Sequence, residues 1–167
     1  MKRLIFLRGA MGVGKTTVAR ALQKLLPQAA FLDGDWVWDI VPFTVTEETC
    51  EMALQNITAL LSNFLRCSAV EHIIFAWVMH EDAIVDELLA RLPSGCYQFT
   101  QYVLTCDADT LRTHLLTDIS AGRRSPDILS RAEDRRQTLL CSSAPHFDLS
   151  GLTPAEAAKQ LMRLISG

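Results

Sequence analysis

The stretch Gly9-Ala10-Met11-Gly12-Val13-Gly14-Lys15-Thr16 constrains this chain more than any other. It matches the pattern G-x-x-x-x-G-K-[ST] at every fixed position. Its glycines let the backbone curl, so that successive N–H groups converge on one point. Such a concavity binds the oxygens of a phosphate chain. Lys15 adds a mobile positive charge over the β- and γ-phosphates. Thr16 offers a hydroxyl to Mg²⁺ and opens a helix whose N-terminal dipole favours anions. The flanks agree with the loop. Arg3–Leu7 reads as a buried strand leading in, and Thr17–Leu26 as a helix leading out, stopped before Pro27. The nucleotide-binding positions are therefore Gly9, Met11, Gly12, Val13, Gly14, Lys15, Thr16 and Thr17.

The remaining chain repeats this alternation. Ala29–Leu32 is a short apolar run that stops at Asp33-Gly34-Asp35. Trp36–Val41 reads as a short helix ended by Pro42, which would bring Asp35 and Asp39 near one face. Thr44 to Glu47 fits a capping box, with Thr46 as the other candidate cap, and apolar residues then recur at helical spacing from Cys50 to Leu65. Ile73–Val78 is the best candidate for a fully buried central strand. Asp82 or its neighbours can cap a helix running through Leu92. Tyr97–Thr105 is a fourth strand, and a helix follows from Asp107 towards Ser120. Ala121–Asp127 is rich in turn formers and interrupts the pattern. A helix over about 129–141, a weak strand at Phe147–Leu149 and a helix started by Thr153-Pro154-Ala155-Glu156 complete the chain.

Strands alternating with helices imply an α/β domain with a mainly parallel sheet covered on both faces. In such sheets ligands bind beyond the carboxyl ends of the strands. That rule brings the glycine loop, Asp33, Asp35 and His80 to one edge. At 167 residues, the span 1–167 is expected to be one domain. The net charge of −3 argues against a broad nucleic-acid footprint. Five cysteines without a C-x-x-C pair give no zinc pattern and fit the reduced thiols of a cytoplasmic protein. A strand starting within three residues of Met1 leaves no room for a signal peptide, and the longest apolar run is too short to span a bilayer.

Asp33 and Asp35 are the second informative signal. One carboxylate could hold water on Mg²⁺, and the other could take the proton of an attacking hydroxyl. The competing reading makes Asp33-Gly34 a turn and Asp35 a helix cap. Trp36, Trp38, Trp77 and His80 could line an acceptor pocket, since aromatic walls suit a planar or amphipathic molecule. Core packing is the alternative for Trp38 and Trp77, and a polar strand end for His80. Arg135 and Arg136 read as helix-surface charges.

The loop followed by Phe31-Leu32-Asp33-Gly34-Asp35 resembles the small P-loop kinases. Leu-Asp-Gly-Asp is similar to adenylylsulfate kinases and Asp-x-Asp to shikimate kinases, and chloramphenicol kinases share the general plan. The resemblance implies a three-layer P-loop fold with a five-stranded parallel sheet, ATP as donor, Mg²⁺ as cofactor and an acceptor site from the middle of the chain. It also implies an arginine-bearing lid, which the turn at about 120–130 matches. Arg124 would close over the phosphates, with Arg123 and Arg131 as further contacts. The loop Ser150–Pro154 would lie near adenine. Two departures stand out. No acid follows the strand at 73–78, where many P-loop proteins carry one, so the metal would depend on Thr16, Asp33, phosphates and water. The acceptor region also lacks the residues expected for shikimate or adenylylsulfate.

The expectation is thus an ATP- and Mg²⁺-dependent phosphotransferase acting on a small molecule. Lys15, Asp35 and Arg124 are its catalytic set, Thr16 and Asp33 its metal ligands, and Asp35, Trp36 and His80 its acceptor contacts. The alternatives are a nucleotide-binding switch or resistance protein without transfer, and a 5′-hydroxyl nucleic-acid kinase.

Overall fold

The structure, a computed structural model, describes residues 1–166. Gly167, the last residue of the expected domain, lies outside the described residues. In chain order the elements are β1 (Lys2–Arg8), α1 (Lys15–Gln23), β2 (Ala29–Asp33), a 3-10 turn (Gly34–Val37), α2 (Glu47–Arg66), β3 (His72–Trp77), α3 (Asp82–Arg91), β4 (Tyr97–Thr105), α4 (Ala108–Ser120), α5 (Ile128–Leu140), β5 (His146–Asp148) and α6 (Pro154–Ser166). The five strands form one parallel sheet in the order β2-β3-β1-β4-β5. The middle strand is β1, not the 73–78 run expected there. β3 lies between β1 and β2, which still buries it on both sides.

Alternation along β1 splits the core into two layers. Ile5 and Leu7 pack with Val18 and Leu22 of α1 and Leu161 of α6. Leu4 and Phe6 point the other way, to Ile57 and Leu61 of α2, Phe75 of β3 and Leu88 of α3. Phe6 meets Phe75 and Phe99 edge-on, at centroid distances of 5.0 and 5.1 Å. Each fully buried aliphatic or aromatic side chain of this kind stabilises the fold by roughly 1.5–3 kcal/mol.

Local chemistry fixes the helix starts. Thr46 caps α2: its hydroxyl accepts from Thr49 N–H at 3.2 Å, and the Thr49 hydroxyl accepts from Thr46 N–H at 2.9 Å. The reciprocal partner is thus Thr49, and the Thr44–Glu47 pairing does not form. α6 has the expected box, with Thr153 N–H donating to Glu156 at 2.9 Å. α1 ends at Gln23, earlier than Leu26, because the N–H groups of Leu25 and Leu26 both turn back to the Leu22 carbonyl. Asp82 does not cap α3. It lies in the first turn, its carboxylate taken by Arg8.

The helix expected at 36–41 is a single 3-10 turn over Gly34–Val37, so Asp39 lies beyond it and shares no helical face with Asp35. Two bonds hold the chain in this form. Asp33 Oδ1 accepts from Asp35 N–H at 3.1 Å, and Asn56 of α2 donates to the Val37 carbonyl at 3.1 Å.

Candidate active site

The loop between β1 and α1 curls as its glycines require. Gly12 and Gly14 adopt φ of +81° and +108°, which side-chain-bearing residues rarely reach. A Cβ on Gly12 would also stand 2.7 Å from Leu115 of α4. His114 of α4 adds a contact from outside, its Nδ1 3.0 Å from the Gly12 carbonyl. The Lys15 ammonium donates to the carbonyls of Gly9 and Ala10 at 2.8 and 2.9 Å, which folds it back over the loop. Burial pulls its pKa down to about 8, against the opposing charges of Asp35 and Asp33 and with a further push from Arg124.

Asp33 stands at the end of β2 with its side chain buried, and both of its oxygens are in use. Oδ2 accepts from the Thr16 hydroxyl at 2.6 Å, while Oδ1 caps the 3-10 turn that carries Asp35. The turn reading of Asp33 holds, and the same carboxylate also reaches the threonine of the glycine loop. Gly34 is forced by its neighbour: a Cβ there would stand 2.3 Å from Trp77 Cγ and 2.8 Å from Trp77 Cβ.

Two cavities open along the carboxyl edge of the sheet. The first, about 620 Å³, runs from the loop past Asp33 and Asp118 to Gly151, Leu152 and Pro154. The second, about 630 Å³, lies between the segment 38–45, α2, the end of β3 and α5. Met11, Asp35 and Arg124 line both.

The other candidates sort as follows. Arg124 is held by Asp118 at 3.3 Å where the cavities meet. Arg123 pairs with the same carboxylate at 2.8 Å, lies mostly in solvent and lines neither cavity. Arg131 pairs with Asp127 at 3.3 Å and lines the second cavity, not the first. Arg135 also lines the second cavity, although its sequence position suggested a surface charge. Arg136 pairs with Glu133 at 2.9 Å. Trp36 is 51% exposed and lies outside both cavities, edge-on to Phe31 at 5.3 Å with the Arg20 guanidinium 5.1 Å from its ring. Trp38 and Trp77 form the aromatic wall in its place, 6.2 Å apart. His80 lines the second cavity, and burial, then the charge of Arg135, holds its pKa below the ordinary histidine value.

Sequence reasoning missed Arg8. Alternation turns it to the Leu4 and Phe6 side of β1, where it is fully buried. Its Nε donates to the Met79 carbonyl at 2.9 Å, and its Nη1 to Asp82 at 2.7 Å and to the Ser142 hydroxyl at 3.0 Å. It thereby ties the strand before the loop to α3 and to the end of α5. Met79 adopts φ of +37° beside His80. The available signal was a charge closing an apolar strand immediately before a glycine loop.

Residues 5–136, most of the chain, match the protein family described as AAA domain. The chain belongs to this AAA domain family. Solved structures place the AAA domain among small P-loop kinases in fold. It is similar to a tunicamycin resistance protein from Deinococcus radiodurans, with 18% identity, TM-score 0.72 and coverage of 99% of this chain and 96% of that one. It is also similar to a gluconokinase from Sinorhizobium meliloti 1021, with 18% identity, TM-score 0.66 and coverage of 98% and 94%. A shikimate kinase from Acinetobacter baumannii in complex with shikimate gives 19% identity, TM-score 0.63 and coverage of 99% and 94%. No curated protein matches this chain in sequence. The fold expected from Gly9–Thr16 and Phe31–Asp35 is therefore present. Among the described residues, no helix is long and apolar enough to cross a membrane.

Proposed function

We propose that this chain is an ATP- and Mg²⁺-dependent phosphotransferase acting on a hydroxyl or phosphate of a small molecule, as one domain spanning 1–167 with a lid at about 120–130. The observation that carries this is the meeting of the two cavities. The first has the loop, lysine and threonine for a nucleoside triphosphate. The second opens onto it past Asp35 and Arg124. Two substrates that exchange a phosphoryl group need that shared mouth.

For a hydroxyl acceptor, its oxygen attacks the γ-phosphorus, the bond to the β-γ bridging oxygen breaks, and ADP leaves with that electron pair. Asp35 orients the hydroxyl and accepts its proton. Lys15 and the loop amides hold the β- and γ-phosphates. Arg124 swings from Asp118 to the transferring group, where charge on its oxygens is stabilised away from water. Thr16 and Asp33 supply hard oxygen donors next to the loop, 2.6 Å apart, which suits a magnesium ion that keeps water and phosphate oxygens as its other ligands. When bound, the ion neutralises phosphate charge. Arg123 remains a nucleotide contact only if it leaves Asp118, and Trp36 an acceptor contact only if the 3-10 turn moves. The acceptor role of His80 is supported by its place in the lining of the second cavity.

Lys15→Ala should cripple nucleotide binding. Asp35→Asn should keep ATP affinity and lower acceptor-dependent ADP release by about 10²–10⁴-fold. Transfer left intact by Asp35→Asn would remove that residue's assigned role. A second reading, nucleotide-dependent resistance without transfer, draws on the tunicamycin resistance neighbour. It gains if no acceptor stimulates ADP release. Action on nucleic-acid 5′-hydroxyls is disfavoured by the net charge of −3.

A further inference from the structure

We propose that the acceptor is a hydroxyl-bearing amphiphile with an aromatic or bulky apolar body, not a polyol or sugar acid. The proposal deepens the phosphotransferase reading and rests on it for the role of the hydroxyl. Its evidence is the second cavity itself. One wall is made by Trp38, Phe43, Val45, Leu54, Trp77 and Ile84. Charged and polar groups line it as well: Asp35 and Arg124 where it meets the nucleotide cavity, and Asp39, His80, Glu87, Arg131 and Arg135. A hydroxyl delivered to Asp35 therefore leaves the body of its molecule against aromatic and aliphatic surface. A polyol lying against the aromatic and aliphatic part would lose hydrogen bonds to water that those side chains do not replace. A volume of about 630 Å³ suits a drug-sized molecule.

Two further observations point to the same occupant. Phe43 and Val45, though part of the wall, are 57% and 62% exposed, and Val41 beside them is 95% exposed. Exposed apolar side chains at the rim of a cavity are among the features of a ligand-binding groove. The indole N–H of Trp38 is buried with no acceptor. Buried donors are nearly always satisfied, so this one is left over by the protein itself beside the cavity that Trp38 lines.

The three tryptophans provide the readout, because Trp38 and Trp77 line the cavity and Trp36 does not. The ¹⁵N-labelled full chain is titrated, without nucleotide, with 4-phenyl-1-butanol and with 1,4-butanediol. These share the hydroxyl and differ in the aromatic body. The expected result is a saturable shift of the Trp38 and Trp77 indole resonances with phenylbutanol, at least about tenfold tighter than with the diol, and an unmoved Trp36. Phe43→Ser, at an exposed position that the fold tolerates, should weaken the phenylbutanol affinity about fivefold. Equal response to the diol, equal movement of Trp36, or an unchanged affinity in Phe43→Ser overturns the proposal. Nucleotide turnover is not involved, so the two readings fail separately. Apolar binding without any acceptor-stimulated ADP release would sink phosphoryl transfer alone. Turnover of polar acceptors with no apolar binding would sink the amphiphile alone.

Discussion

Gly34 offers a sharp test of how the site is built. An alanine there keeps its backbone conformation but puts a Cβ 2.3 Å from Cγ, 2.5 Å from Cδ1 and 2.8 Å from Cβ of Trp77. These atoms are the stem of the side chain, anchored in β3, so no small rotation of a distal group relieves the clash. Either the turn after β2 lifts from β3 or the Trp77 ring swings into the second cavity. Overpacking of this kind costs about 1–3 kcal/mol. The upper half of that range applies here, since three contacts are violated at once. On a chain of this length about 2 kcal/mol lowers the melting temperature by roughly 4–8 °C. The change either displaces Asp35, the next residue, or narrows the second cavity, whereas the glycine loop is untouched. Gly34→Ala should therefore lose stability in urea titration, weaken acceptor binding and keep ATP affinity. The double variant Gly34→Ala/Trp77→Ala should recover more than half of the stability lost relative to Trp77→Ala alone, a coupling that only direct contact produces. A Gly34→Ala protein with the wild-type urea midpoint, or a double variant with purely additive losses, would refute the steric argument.

Two further expectations concern charge. The Lys15 pKa is depressed to about 8 from 10.5, so the folded chain gives up that proton before the unfolded chain does, and stability rises as pH climbs between those values. Phosphate needs the charged ammonium, so ATP affinity should fall by up to about tenfold per pH unit above pH 8, as read by calorimetry, and Lys15→Gln should remove the slope. Asp82 is depressed to about 2 from 3.8 by the Ser142 hydroxyl and Arg8. Its contribution is present above about pH 4 and is lost as pH falls through about 2, so Asp82→Asn should flatten that limb of an acid-unfolding curve. At neutral pH the same variant should cost about 2 kcal/mol in urea, because the buried Arg8 charge then lacks its counter-ion.

Much of this architecture is legible along the chain because its signals are local. A glycine loop between an apolar run and a helical repeat states strand, loop and helix at once. Asp107 and Thr153 mark helix starts by residues that take backbone N–H groups, and α4 and α6 begin there. What was misread depends on partners remote in sequence. The segment 36–46 has no period, so nothing local told that Trp38 and not Trp36 faces the cavity. The Val37 carbonyl had to be taken by Asn56, on a different helix, before that orientation was set. Arg135 and Arg136 are neighbours of equal character. Only the packing of α5 sends one to the cavity and the other to Glu133. The strand order is likewise a property of crossovers, which left β3 as the expected middle strand where β1 is found.

The two oxygens of Asp33 carry a consequence for how the two cavities communicate. One is engaged by the hydroxyl of the loop helix and the other by the backbone amide that presents Asp35. Any rotation of that carboxylate as nucleotide arrives is transmitted to the acceptor side through a single rigid group. Thermodynamic reciprocity then requires the acceptor to change nucleotide affinity by the same factor as nucleotide changes acceptor affinity. Under the proposed phosphotransferase reading, a measurable synergy between nucleotide and acceptor is the expected signature of such a shared carboxylate. Asp33→Asn, which keeps one acceptor oxygen but not two, should make the two binding events independent.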